Sequence, residues 1–539
     1  MTMKTLKYIL LSVILIGITA CAEPEDVLED QGIDNTPIVL PELTAGSADF
    51  SKYVALGNSL TAGFTDNALF IAAQENSLPN TLAQRFALAG GGEFTQPMMN
   101  DNFGGLALAG TRITQPRLVF GGAGPVPLES IIGPVTVTTD LAINNPTGPF
   151  NNMGVPGAAS FHLIAPGYGN IGNLPSAANP YFVRMTGSTP DATILELALA
   201  QSPSFVSLWI GANDVLGYAT GGASAGAPTP QPTFDFAMST IMGNLSGTQG
   251  VMANIPYVTT IPYFTTVPHN PLDPSNPAFG PLIPTLNGVF GQLNQVFAFL
   301  GVTERSIVFS ETEASAVVLQ DESLVNLSAE ITGVLNASPT FPAFVESFGL
   351  PAAAAPIVAN LFGLVYGQAR QATAEDLLVL PSSTVIGTVN EDFAAFLQSQ
   401  GLPPALAAQF SAEGVSLPLT DNWVVIPSEQ DEIKMAIDGY NATIQSAASA
   451  AGFAFVDANA LMQQLDAGGF TDGDHTLTSA LVMGGAFSLD GVHPTARGYA
   501  LIANQFMKAI DNTYGSNFEA SGNFVDIGDY PTNYSPALQ

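Results

Sequence analysis

The chain is poor in cations, histidine and cysteine. Its 539 residues hold 12 Lys and Arg against 45 Asp and Glu, a formal charge of −33. That balance argues against a nucleic-acid partner, because phosphate binding needs clustered cations. An anionic membrane surface would likewise repel the body of the protein, and the bland consequence of the acidity is solubility. The single cysteine, Cys21, leaves no intramolecular disulfide, so stability must come from the core. Only four histidines are present. No acidic–histidine cluster has metal-site spacing, and Thr471-Asp-Gly-Asp-His475 reads as a turn rather than a metal site. There is no P-loop and no dinucleotide fingerprint, so the sequence calls for neither metal nor cofactor.

Apolar residues make up 47% of the chain and charged residues 11%, enough for a large core. The 53 glycines and 40 prolines imply many turns and long ordered loops. Residues 1–20 read as a processing segment: Lys4 and Lys7 precede an apolar run from Tyr8 to Ile18 that is too short to span a bilayer. Ile18-Thr19-Ala20-Cys21 resembles a bacterial lipobox, which implies lipid attachment at Cys21 and anchorage in the outer membrane. The acidic residues that follow are similar to the surface-export signals of Bacteroidetes lipoproteins, which implies an outward-facing anchor. Residues 21–49, acidic and broken by proline, read as a flexible tether.

From Lys52 onward, apolar runs that end in turns alternate with helical spacing. Lys52–Gly57, Phe205–Ile210, Gly250–Ile255 and Phe453–Asp457 predict buried parallel strands. Leu78–Leu88, Ala192–Ala200, Ala458–Leu465 and a closing segment from about Thr495 to Asn512 predict helices. The alternation argues for a parallel sheet covered on both faces. Residues 89–190 read as long loops with short strands. Between about 270 and 420 the alternation is lost, and Leu286–Leu300, Ser323–Leu335 and Phe341–Ala369 carry apolar helical faces. Ser347–Tyr366 holds twenty residues without a charge. Pro351 and Pro356 interrupt it, so it reads as part of an inserted helical subdomain rather than a membrane span. Such an insertion either packs a core of its own or supplies an acyl-binding wall or lid.

Four short segments carry chemistry. Gly57-Asn58-Ser59-Leu60 places a hydroxyl at the carboxyl end of a predicted strand, where parallel sheets build their sites. In Asn152-Met-Gly-Val-Pro-Gly157-Ala-Ala, read as a loop, Gly157 lets backbone approach a substrate and offer an N–H. Gly211-Ala212-Asn213-Asp214 follows a strand, and the Asn213 amide could donate to a developing oxyanion. In Asp490-Gly-Val-His493-Pro494, three-residue spacing lets the carboxylate hold one imidazole nitrogen while the other faces a serine. His162 and His269 read as structural or loop residues.

Together, in this order, the four segments resemble the blocks of the SGNH (GDSL-type) hydrolase superfamily. The resemblance covers roughly residues 50–260 and 420–515. It implies an α/β fold, a three-layer α/β/α flavodoxin-like sandwich with a parallel sheet, here carrying a large helical insertion. It implies a nucleophile at Ser59, an oxyanion hole from Ser59, Gly157 and Asn213, and a supporting Asp490–His493 pair. The implied activity is ester hydrolysis, on lipid or fatty-acyl esters or on acetylated glycans. A non-catalytic binding lipoprotein on the same scaffold is the rival expectation. Asn58 departs from the family pattern, which usually has Asp there. Oligomeric state is not legible.

Overall fold

Five short segments hydrogen-bond side by side, all parallel: β1 (Tyr53–Gly57), β2 (Asn152–Gly154), β3 (Phe205–Trp209), β4 (Gln249–Ala253) and β5 (Ala454–Val456). Their order across the sheet is β2-β1-β3-β4-β5. This is the flavodoxin-like doubly wound order, whose switch point lies between β1 and β3. The molecule is described by a computed structural model covering residues 39–539, of which Leu43–Glu519 and Asn523–Gln539 form one compact unit. Residues 1–38, including the leader, Cys21 and most of the expected tether, lie outside the described residues.

Strand alternation sorts the core into two faces. Val54, Leu56, Val206, Leu208 and Met252 enter one apolar cluster, and Tyr53, Ala55, Phe205, Trp209 and Val251 enter the other. Seven helices position the site: α1 (Ser59–Ala62), α2 (Leu78–Leu88), α3 (Asn213–Thr220), α4 (Gln231–Asn244), α5 (Pro427–Ala451), α6 (Ala458–Ala467) and α7 (Ala496–Tyr514). Phe234, Met238 and Ile241 of α4 and Ile433, Ile437 and Ile444 of α5 cover the first face. Leu82 and Phe86 of α2, with Phe506 and Ile510 of α7, cover the second. The architecture is therefore the three-layer α/β/α arrangement with a parallel sheet.

Several sequence readings change. The chain is already anchored by Leu43, so the tether cannot extend to Asp49. The Thr44 N–H donates to Asn517 Oδ1 at 2.7 Å and the Ser47 N–H to the Tyr514 carbonyl at 2.8 Å. Residues 152–154, expected in a loop, form the edge strand β2; three residues that include Asn and Gly carry no apolar run to read. The helix expected from Ser323 begins at Ser328, because Asp321 and Asn326 bind the N–H groups of Ser323 and Ser328 and hold turns instead.

The region from about 270 to 420 contains helices at Ile283–Leu300, Ser328–Ala337, Phe341–Ser347, Ala355–Tyr366, Glu391–Ser399 and Pro404–Gln409. They enclose their own apolar core, with Phe290, Leu293, Ile331, Phe362 and Leu419 buried. Two short antiparallel pairs, Val318–Gln320 with Ala369–Gln371 and Leu377–Leu378 with Val424–Val425, add strand to a region expected to be helical. Arg370 sits between Asp321 (2.6 Å) and Asp376 (2.7 Å) and ties this core together. Residues 341–347 and 352–366 meet at 116°, and among the described residues no single helix is long and apolar enough to cross a membrane.

Candidate active site

Ser59 stands at the first position of α1, immediately after β1. The Asn58 side chain caps that helix by accepting the Leu60 N–H at 3.0 Å. Asn therefore serves the capping role here that an aspartate oxygen could also serve. Two glycines make the placement possible. A Cβ on Gly57 would lie 2.4 Å from the Trp209 carbonyl oxygen, and one on Gly154 would lie 2.3 Å from the Ala62 nitrogen. Without side chains at these positions, α1 settles directly against β1 and β2.

The turn before α7 brings in the other two groups. The Ser488 N–H donates to the His493 carbonyl at 2.8 Å, closing a loop around Gly491, whose φ is +72°. Thr495 then caps α7 by accepting the Gly498 N–H at 3.0 Å. The result is a relay between groups 434 positions apart in sequence: His493 Nε2 lies 2.9 Å from Ser59 Oγ, and His493 Nδ1 lies 2.9 Å from Asp490 Oδ2.

The proton positions follow from Asp490. Burial acts to raise its carboxyl, but the adjacent His493 ring and the His493 and Val492 N–H groups outweigh that and hold it at about 2. An ionised carboxylate only accepts, so Nδ1 must carry the hydrogen. In its neutral form the ring presents a lone pair at Nε2, which accepts from the Ser59 hydroxyl. The arrangement can thus strip a proton from Ser59 as it attacks an electrophile, with Asp490 stabilising the imidazolium.

Asp490 is held by groups that sequence reasoning missed. Its Oδ1 accepts from the Val492 and His493 N–H groups, both at 2.8 Å, and from the Ser488 hydroxyl at 3.0 Å. Its Oδ2 accepts from the Asn67 N–H at 2.9 Å. Asp66 and Asn67 have φ of +50° and +61°, left-handed backbone that aims the Asn67 N–H at the carboxylate. The Asp66 N–H donates to the Ser488 hydroxyl, and the Leu489 N–H donates to Asp66 Oδ1, each at 3.1 Å. The Phe64 ring packs 4.7 Å from the His493 ring. The one local signal was Asp66-Asn67 just past α1, the residue types that tolerate left-handed backbone best after glycine.

Burial, reinforced by the nearby Asp490 charge, pushes the Asp66 carboxyl up to about 7, against the pull of the Leu489 N–H and of Arg117. Its folded value lies above the ordinary 3.8. The folded state therefore binds the extra proton, and stability declines as pH rises from about 4 through about 7. Asp66→Asn keeps an acceptor and the left-handed backbone. It is expected to flatten the fall of Tm across this window and to raise Tm at pH 8. Parallel Tm–pH slopes for the two proteins would count against this assignment.

Asn213 begins α3 after β3 and lines the same cavity as Ser59 and His493. Its Nδ2 donates to the Ala158 carbonyl at 2.9 Å, which fixes the amide against the loop that follows β2. Asp214 ties the same loop by accepting from the Ser160 N–H (2.8 Å) and hydroxyl (2.7 Å). Gly157 lies in that loop, exposed, with φ +82°. It is one residue before the carbonyl that Asn213 holds, and it does not line the cavity.

The remaining histidines do not join the site. His162 accepts the Ala159 N–H at Nδ1 and stacks on Tyr168 at 4.2 Å, and burial lowers it to about 4. His475 pairs with Asp472 across a hairpin. Sequence spacing gave no sign of one carboxylate trio, Glu322, Asp421 and Glu429, whose ligand atoms come within 4.8 Å of one another. Burial, and then the charges of the other two carboxylates, push Glu429 up to about 8 despite the Ile426 N–H it accepts.

The cavity beside Ser59 is almost wholly apolar. Its polar lining is Asn58, Ser59, Asn213 and His493, and none of its lining residues falls between 270 and 420. The insertion therefore does not form the wall of this cavity, which is built from α6, α7 and the segments that follow β3 and β4. No protein-family model, curated protein or solved structure matches the chain.

Proposed function

We propose that this protein is a serine hydrolase of the SGNH type that cleaves carboxylic esters through an acyl-enzyme. The observation that carries the reading is the continuous Ser59–His493–Asp490 relay, with both contacts at 2.9 Å. In the proposed reaction, His493 Nε2 takes the Ser59 proton as Oγ attacks the ester carbonyl carbon. The tetrahedral oxyanion is met by the N–H groups of Ser59 and Gly157 and by the Asn213 amide. Collapse expels the alcohol, protonated by His493. Water, deprotonated by the same ring, then releases the acid and restores Ser59. The chemistry needs no cofactor.

Lipid or fatty-acyl esters are favoured over acetylated glycans, because the space beside Ser59 is apolar. The lipobox-like segment ending at Cys21 supports a lipid-anchored protein of the outer membrane, and the acidic residues after it favour the cell surface. A fluorophosphonate probe tests the reading directly, since only an activated serine reacts. Labelling is expected on the wild-type chain and should vanish in Ser59→Ala. An unlabelled wild-type protein would favour a non-catalytic binding role. Asn213→Ala is expected to lower kcat for p-nitrophenyl ester hydrolysis by about 10²–10³; an unchanged kcat would remove Asn213 from the oxyanion hole.

A further inference from the structure

We propose that the cavity beside Ser59 is an acyl-chain pocket for unbranched, medium-length carboxylic acids, and that Met462 and Leu465 set the chain length it accepts. The proposal rests on the hydrolase reading for its chemistry, but the pocket itself is argued from its walls.

Helix α6 contributes Ala458, Leu461, Met462 and Leu465 to the lining. Their spacing of three, four and seven residues puts them on one helical stripe. Met462 is 3% exposed and Leu465 is 7% exposed, so the stripe faces inward. Leu501 and Ile502 of α7 and Ile261 also line the cavity. The one ionisable side chain of the lining is His493, at the reacting end where it meets Ser59.

A sugar ring placed in this space would leave its hydroxyls without partners, a large cost in an apolar site. An acetyl group would leave most of the apolar wall unfilled. A straight alkyl chain does neither. Residues 458–465 cover about 10 Å along the helix axis, which suits a chain on the order of six to ten carbons. Met462 and Leu465 are the long side chains of the stripe that are buried, so bulk added there fills the pocket and bulk removed enlarges it. Each methylene buried before that limit adds about three- to fourfold in affinity for the acyl part.

The experiment uses the full chain and p-nitrophenyl esters from acetyl to palmitoyl. kcat/KM is expected to climb by about three- to fourfold per methylene, peak near octanoyl and then fall. In Met462→Trp the octanoyl-to-acetyl ratio should drop at least about tenfold, as lost methylene burial requires. Leu465→Ala only removes atoms, and it should move the peak toward longer chains. Sodium octanoate binding, followed by calorimetry, should be detectable in the wild type and weakened in Met462→Trp. A profile that is flat or highest at acetyl, or a chain-length peak that neither variant moves, would overturn the proposal. Serine labelling separates the two levels. Labelling without chain-length selection defeats the pocket and leaves the hydrolase reading standing. Octanoate binding without labelling defeats the hydrolase reading and leaves the pocket.

Discussion

Ser59→Ala is expected to lower kcat for ester hydrolysis by about 10⁶, the size of loss seen when a serine nucleophile is removed from a working triad. The change touches little else. The Ser59 carbonyl still accepts the Phe64 N–H at 3.0 Å, and the Asn58 cap on Leu60 does not involve the hydroxyl. The one side-chain bond lost is the 2.9 Å contact with His493 Nε2, worth about 1 kcal/mol. The variant should therefore fold with a Tm close to that of the wild type while its turnover collapses. Residual catalysis of about 10³–10⁴ over water is expected if the oxyanion donors survive. A variant that keeps its Tm and loses less than tenfold in kcat would show that Ser59 is not the nucleophile.

The parts of this site legible in the sequence are those whose chemistry is local. Asp490 and His493 share one turn, and Ser59 follows a strand that reads as a continuous apolar run, as buried parallel strands do. The positioning groups were invisible for the opposite reason. Asn67 reaches Asp490 across 423 positions, and Asp66 reaches Ser488 across 422; no pattern within either segment announces those contacts.

The same divide runs through the fold. β1, β3, β4 and β5 were readable because each carries an apolar run, whereas β2 exists mainly because β1 offers it an edge. Helix α5 is the instructive omission. Ile433, Ile437, Tyr440, Ile444 and Ala448 form a stripe of helical period, all buried. The polar residues between them interrupt every apolar run, so the stripe shows only when periodicity is counted along the whole 25-residue segment. The insertion left two readings open, a core of its own or an acyl wall or lid. Its apolar faces are largely spent on their own core, and much of the wall beside Ser59 comes from α6 and α7, which looked like ordinary sheet-covering helices.

Asp490→Asn should cost about 10⁴ in kcat with little change in KM, and the hydrogen-bond geometry says why. Oδ1 faces three donors, Val492 N–H, His493 N–H and the Ser488 hydroxyl, whereas Oδ2 faces two, Asn67 N–H and His493 Nδ1. The single oxygen of an asparagine satisfies more partners at the Oδ1 position, which turns its NH₂ toward the imidazole. An NH₂ group there can only donate, so Nδ1 must become the acceptor and the ring hydrogen moves to Nε2. That tautomer donates toward Ser59 Oγ and cannot take its proton. The Asn67 N–H also loses its acceptor, so a loss of stability of about 1–3 kcal/mol should accompany the kinetic defect. Because the defect is a misplaced hydrogen, raising the pH to favour direct ionisation of Ser59 should restore part of the rate. A kcat within tenfold of wild type would mean that the Asp490 charge and acceptor are dispensable, and the relay would reduce to Ser59 and His493 alone.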